Sequence, residues 1–218
     1  MIQVKICGIT HLDDALCAAE NGAAALGFIF YQPSPRHIEP QKARVIIDKL
    51  PRDLVKIGVF VNETTEEVKG IFDYCGLDML QLHGDESPDS CRQFPANRVI
   101  KALELKTEED IKRAAAYPVA AILVDSRHAG LYGGSGKTSN WELAGRISRP
   151  LILSGGLNEG NVIDALQKVN PDALDINSGI EERPGRKDCA KIVRIMEIIK
   201  RQTNGDDTLI VFASRKNS

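Results

Sequence analysis

The chain has 218 residues, 43% of them hydrophobic and 27% charged, enough to bury a substantial core and unlike a disordered segment, a collagen or a disulfide-stapled mini-domain. With 28 basic and 30 acidic residues the net charge is −2, and aromatics are only 5%, so nothing favours a polyanion or stacked bases, and no nucleic-acid partner is expected. The five cysteines (Cys7, Cys17, Cys75, Cys91 and Cys189) form no CxxC pair and read as free thiols of a cytoplasmic protein. No leader peptide and no membrane span are expected, since the start lacks a basic-then-apolar pattern and no apolar run approaches about 18 residues.

In chain order, short β-rich runs alternate with helical patterns. Ile2–Cys7 reads as a strand, and His11–Asn21 as a helix stopped by Gly22. Ala24–Phe30 and the helix Pro40–Leu50 follow. Leu54–Val61 is nearly all apolar, as in a strand buried on both faces. Thr64–Tyr74 opens on the capping box Thr64 to Glu67 and ends before Gly76. Met79–Leu82 is a short strand, Ser87–Phe94 a short helix. Val99–Leu103 is paired with the helix Thr107–Ala116, which opens on a second box, Thr107 to Asp110. Then come Val119–Asp125 with Asn140–Ile147, Leu151–Ser154 with Asn158–Val169, and Ala173–Asn177 with Asp188–Gln202.

Eight strand-then-helix units imply a parallel sheet covered by helices, and eight of them suggest closure into a single (β/α)8 TIM barrel over residues 1–202. A doubly wound open sheet is the competing α/β reading. Residues 203–218 fall outside the pattern: a turn, the apolar run Thr208–Ala213, then charged residues. No role for this tail is evident from sequence.

In a barrel, chemistry collects at the carboxyl ends of the strands. Cys7 ends the first strand and is followed by Gly8. It reads either as a small buried apolar residue or as a thiolate base held by a nearby cation. Asp125 ends the sixth. It serves a helix start, pairs with Arg127, or acts as a general acid. Arg36 lies in Pro33–Arg36, a loop stiffened by two prolines. Its guanidinium suits a carboxylate or phosphate, or it is simply solvated. His83 follows the fourth strand and reads as a substrate contact or a structural hydrogen-bonding group. Gly155 and Gly156 after strand seven, and Ser178 and Gly179 after strand eight, stand where barrels hold phosphates on backbone N–H groups. Gly133–Thr138 fails the P-loop pattern, because Leu131 stands where its first glycine belongs, and reads as a lid. No His, Asp and Glu cluster has metal-ligand spacing, so no metal is expected.

These segments resemble the phosphoribosylanthranilate isomerase family of tryptophan biosynthesis. Lys5–Thr10 (KICGIT), Ser34–Arg36, Val59–Asn62, Gln81–Gly84, Val124–Ser126, Leu153–Leu157 and Asp175–Glu181, followed by Pro184-Gly185 and Lys187-Asp188, match in order from residue 2 to about residue 200. The resemblance implies an Amadori rearrangement of N-(5′-phosphoribosyl)anthranilate to 1-(2-carboxyphenylamino)-1-deoxyribulose 5-phosphate. It implies Cys7 as general base, Asp125 as general acid, and Arg36 on the anthranilate carboxylate. His83, Gly155, Gly156, Asn177, Ser178 and Gly179 would contact substrate, the glycine loops holding its phosphate. Such an enzyme is an intramolecular oxidoreductase, an aldose–ketose isomerase, without a cofactor. Its partner is a small phosphorylated substrate, and the chain is a monomer or homodimer. Asn177 departs from the family pattern, where a small residue is usual. So do the lid and Asn140. The alternatives are the related aminoaldose isomerase of histidine biosynthesis, whose substrate carries a phosphate at each end, and a non-catalytic binder of phosphorylated ligands.

Overall fold

The computed structural model describes residues 2–125, 140–203 and 209–214. Eight parallel strands form a closed barrel in chain order: β1 Gln3–Ile6, β2 Ala25–Ile29, β3 Val55–Phe60, β4 Met79–Leu82, β5 Val99–Leu103, β6 Ala121–Val124, β7 Leu151–Leu153 and β8 Ala173–Ile176. Closure comes from β1 pairing with β8 in the register Gln3 to Ala173 through Ile6 to Ile176, which removes the open-sheet reading. The strands are apolar on both sides because helices cover one face and the barrel interior fills the other. The helices are α1 Leu12–Glu20, α2 Pro40–Ile47, α3 Thr65–Cys75, α4 Pro88–Cys91, α5 Glu108–Ala115, α6 Trp141–Ala144, α7 Val162–Val169 and α8 Cys189–Gln202.

Local chemistry sets the ends. Thr64 caps α3 through a reciprocal box with Glu67, and the helix stops at Gly76 in the left-handed region, φ 66°. Asp188 caps α8 by accepting from the N–H groups of Ala190 and Lys191. Several helices are shorter than their patterns, α6 keeping only Trp141–Ala144 of Asn140–Ile147. α4 keeps only Pro88–Cys91. The run toward α7 begins at Val162 rather than Asn158, because Asn158 and Asn161 are spent on a side-chain-bonded turn. A two-stranded hairpin after β8, β9 Glu181–Arg183 and β10 Arg186–Lys187, has no counterpart in the sequence reading. It is too short to show a period.

Side chains alternate along each strand, which sorts the core into two layers. Leu26, Phe28, Phe60, Leu80 and Ile122 face the helices. Ala25, Val55, Ile57, Met79, Ala121, Leu123 and Ile152 form the core inside the barrel. The tail joins this inner core. Val211 and Phe212 are buried in it, and both their N–H groups donate to Gln3 Oε1, at 2.6 and 2.9 Å. Residues near 211 therefore seal the amino-terminal end of the barrel.

The expectation of five free thiols is corrected: Cys17 of α1 and Cys189 of α8 form a disulfide, with Cα atoms 6.0 Å apart. They are 172 positions apart in sequence, and only barrel closure makes α1 and α8 neighbours. Cys7, Cys75 and Cys91 are free and buried.

Candidate active site

The alternation that builds the inner core also aims the site. Lys5 and Cys7, Gln81 and His83, and Asp175 and Asn177 are pairs two residues apart, on strands or just past their carboxyl ends. Each pair points into the barrel, as does Asp125 two residues after Leu123. Cys7, Gln81, His83, Asp125, Asp175 and Asn177 line one pocket at the carboxyl-terminal mouth.

Cys7 is tied to β8 by its N–H, which donates to the Ile176 carbonyl at 2.9 Å. Its neighbour across β2 is Gly27. A Cβ there would stand 2.7 Å from Cys7 Sγ and 2.9 Å from Lys5 Cε, so only glycine leaves room for the thiol and the lysine. Lys5 is fully buried, and its Nζ donates to Asp175 Oδ2 and Gln81 Oε1, both at 2.8 Å. Burial lowers the Lys5 pKa, but the charges of Asp175 and Cys7 outweigh it and raise the pKa above its ordinary value. Burial pushes the Cys7 thiol up and Asp175 adds to this, while Lys5 and Lys187 pull it down. The net direction is up.

Asp125 follows β6, with its N–H on the Leu103 carbonyl at 3.1 Å. Its Oδ2 lies 3.2 Å from His83 Nε2, and both side chains are buried. The turn carrying His83 is held from behind. Glu86 accepts from the N–H groups of Asn62 and Gly84, and pairs with the buried Lys101 at 2.7 Å.

Arg36 lines the pocket beside Pro33 and Pro35, but its guanidinium is not unclaimed. Nε and Nη2 are forked onto Glu181 of β9 at 2.9 and 2.7 Å. Glu181 also takes Lys187 Nζ at 3.0 Å and the Gly185 N–H at 3.2 Å. Burial pushes the Glu181 carboxyl up, yet hydrogen bonds from Arg36 and the Lys187 charge more than offset this and hold it below the ordinary carboxylate value. Lys187 in turn donates to Asn177 Oδ1 at 2.8 Å, so the unexpected asparagine is a structural acceptor at the pocket wall.

Gly155 and Gly156 both have positive φ, 92° and 64°, and form a tight turn after β7. The Gly156 carbonyl is held by the side-chain amides of Asn158 and Asn161, each at 2.9 Å. Both glycines and Ser178, which opens a 3-10 turn with Gly179 and Ile180, line the pocket. Gly179 packs against the Leu157 backbone instead of facing the pocket. The lid stretch 133–138 and Arg127 lie outside the described residues.

Sequence reasoning gave no role to Lys5, Gln81, Asp175, Glu181 or Lys187. The first three were detectable, since each stands two residues before a site residue on the same strand face. Among the described residues no group of His, Cys, Asp and Glu is placed to hold a metal, and no helix is long and apolar enough to cross a membrane.

Comparison with known proteins identifies the family. Residues 4–198 match the sequence profile of N-(5′-phosphoribosyl)anthranilate (PRA) isomerase. The N-(5′-phosphoribosyl)anthranilate isomerase of Syntrophus aciditrophicus (strain SB) is 52% identical over 203 residues, covering 92% of this chain and 88% of that one. The phosphoribosyl anthranilate isomerase of Thermotoga maritima superposes with a TM-score of 0.82 at 43% identity, over 93% of this chain and 98% of that one. A phosphoribosyl anthranilate isomerase solved with reduced 1-(o-carboxyphenylamino)-1-deoxyribulose 5-phosphate gives a TM-score of 0.81 at 40% identity, over 92% and 100%. The chain belongs to the N-(5′-phosphoribosyl)anthranilate isomerase family.

Proposed function

We propose that this site isomerises N-(5′-phosphoribosyl)anthranilate with Asp125 as general acid and Cys7 as general base. The observation that carries the assignment of roles is their placement: an acid after β6 and a thiol after β1 line one pocket across the barrel mouth. Asp125 gives its proton to the ribose ring oxygen, and the ring opens as the anilino nitrogen forms a Schiff base with C1′. Cys7 takes the proton from C2′, leaving an enolamine that tautomerises to the ketone. C1′ is reduced and C2′ oxidised within one molecule, which makes the step an aldose–ketose isomerisation. The protonated nitrogen is the electron sink, so this reading requires no cofactor.

The two ends of the substrate find matching chemistry. The Gly155–Gly156 turn and Ser178 offer backbone N–H groups to the phosphate, and Arg36 offers its guanidinium to the anthranilate carboxylate. Holding both ends aligns the sugar between acid and base. The second glycine-rich anion loop that a histidine-pathway bisphosphate would use has no equivalent among the described residues near Arg36. The Cys7 and Asp125 pair is superfluous to a mere binder.

We read the chain as a monomer rather than a homodimer. The T. maritima relative is described as dimeric, with monomers generated from it. Here the amino-terminal end of the barrel is covered by the chain's own Val211 and Phe212, which supports a monomer. We place the enzyme in the cytoplasm with the phosphorylated intermediates it handles. A disulfide is uncommon there, and Cys17–Cys189 would be retained as a structural bond between the first and last helices.

The test is a fluorescence assay with freshly generated phosphoribosylanthranilate. Wild type should discharge the anthranilate fluorescence. Cys7→Ala and Asp125→Ala should each lose at least about 10²-fold in kcat while keeping the wild-type circular dichroism. Retained activity in either removes that residue from its role.

A further inference from the structure

Lys5, Gln81, His83 and Asp125 form a line of buried polar side chains, the last three of them lining the pocket. Lys5 Nζ donates to Gln81 Oε1 at 2.8 Å. Gln81 Nε2 lies 2.7 Å from His83 Nδ1. His83 Nε2 lies 3.2 Å from Asp125 Oδ2, a close electrostatic contact without hydrogen-bond alignment. None of the four is more than 7% exposed, so water does not choose their orientation.

The direction of every bond in this line follows from its first member. An ammonium has only donors, so the Gln81 amide must turn its oxygen toward Lys5. The amide then has only its NH2 to offer His83, and Nδ1 must accept. An imidazole whose Nδ1 accepts carries its proton on Nε2. That N–H is the one facing Asp125 Oδ2. The positive end of that N–H stabilises negative charge on the oxygen nearest it, so the proton of the acid form sits on Oδ1. The opposite tautomer would present a lone pair to Asp125 and hold the acid proton on Oδ2, directed at the histidine instead of the substrate.

We propose that Lys5 and Gln81 are positioning residues: they fix His83 as its Nε2–H tautomer, and through it orient the Asp125 carboxyl for proton donation. The assignment rests on Asp125 being the general acid. Lys5 is held in place for this by Asp175 on β8 at 2.8 Å, so the line begins at a buried ion pair.

Gln81→Glu tests the line with little change of shape. A glutamate accepts from both neighbours, so His83 Nδ1 must become a donor. Proteins carrying 15N in their histidine rings report the tautomer directly, with His83→Gln used to assign the signal among the four histidines. Wild type should show an unprotonated Nδ1 and a protonated Nε2. Gln81→Glu should show a protonated Nδ1, a kcat at least about tenfold lower and a KM within about twofold of wild type. Gln81→Met, which removes the restraint without adding charge, should give mixed tautomers and an intermediate kcat. A wild-type Nδ1–H, or a Gln81→Glu variant with a switched tautomer and undiminished kcat, overturns the proposal. If Asp125→Asn is inactive while Gln81→Glu stays fully active, only the positioning role fails. If folded wild type does not turn over phosphoribosylanthranilate, the functional reading falls and the positioning role falls with it.

Discussion

Glu181 grips Arg36 from 145 residues further along the chain: its Oε1 accepts from Nε at 2.9 Å and its Oε2 from Nη2 at 2.7 Å. A guanidinium forked in this way has lost most of its rotational freedom before any ligand arrives. The hairpin of β9 and β10 thus sets the geometry of the pocket's anion end, and Lys187 at 3.0 Å balances the second half of the carboxylate's charge.

Glu181→Gln should therefore weaken substrate binding more than chemistry. Loss of a charge-assisted pair worth about 1.5–3 kcal/mol should raise KM by about ten- to a hundredfold, with kcat reduced far less. Steady-state kinetics with phosphoribosylanthranilate separates the two. An unchanged KM would mean that Arg36 needs no help to hold its place.

The same residue predicts an acid limit to stability. Its folded pKa lies below the ordinary 4.5, so the folded chain prefers the ionised form more than the unfolded chain does. That contribution is fully present above about pH 5 and is lost as pH falls through the folded value. Melting curves of wild type and Glu181→Gln should differ most near neutral pH and converge toward about pH 3. A constant gap would show that the carboxylate charge is not what matters.

Cys7 should alkylate slowly at neutral pH. Burial and the Asp175 charge raise its pKa above the ordinary 9.0, and Lys5 and Lys187 only partly offset them, so the thiolate that serves as base is the minor form before substrate binds. The rate with iodoacetamide should still be climbing above about pH 9. Cys75 and Cys91, each pushed up to about 11 by burial, should also react slowly at neutral pH. Peptide mass spectrometry resolves the three sites. A Cys7 rate already flat near pH 7 would place the thiolate in the resting enzyme.

The barrel itself was legible because its signals are local. Period-two and period-3.6 patterns, the Thr64 box and Gly76 each act within a few residues, and eight units in alternation leave few ways to close a sheet. Cys7 and Asp125 could be placed at the barrel mouth because both end strands, where the topology puts chemistry. What stayed hidden was set by distance in sequence. Glu181 meets Arg36, Cys17 meets Cys189 and Gln3 meets Phe212 only after β1 pairs with β8. No pattern within either segment announces the other.

Reduction of Cys17–Cys189 should lower stability without touching the site. The bond closes a loop of about 170 residues, and the chain-entropy argument assigns it about 5 kcal/mol, an upper figure because unfolded chains retain some structure. Urea unfolding with and without dithiothreitol should give a lower midpoint in the reduced protein. Kinetics below that midpoint should be unaltered, because α1 and α8 lie outside the barrel. Identical midpoints would mean that helix packing alone secures the closure.

The tail makes the complementary case at the other end of the barrel. Phe212 is 2% exposed and packs with Ala25, Val55 and Ala173 at the foot of the inner core, held by two N–H bonds to Gln3. Removing its ring leaves a cavity open to solvent at one side, so Phe212→Ala should cost about 3 kcal/mol, the lower part of the range for a buried phenylalanine. The site stands at the opposite, carboxyl-terminal mouth, so kcat and KM should stay within about twofold of wild type. Truncation after Thr203 should act in the same direction and also expose the apolar foot of the barrel, which a second copy could then cover. Sedimentation velocity of the truncated chain reads this: a concentration-dependent dimer is the expected result. A truncated chain that stays monomeric at undiminished stability would show that the segment merely rests on the barrel.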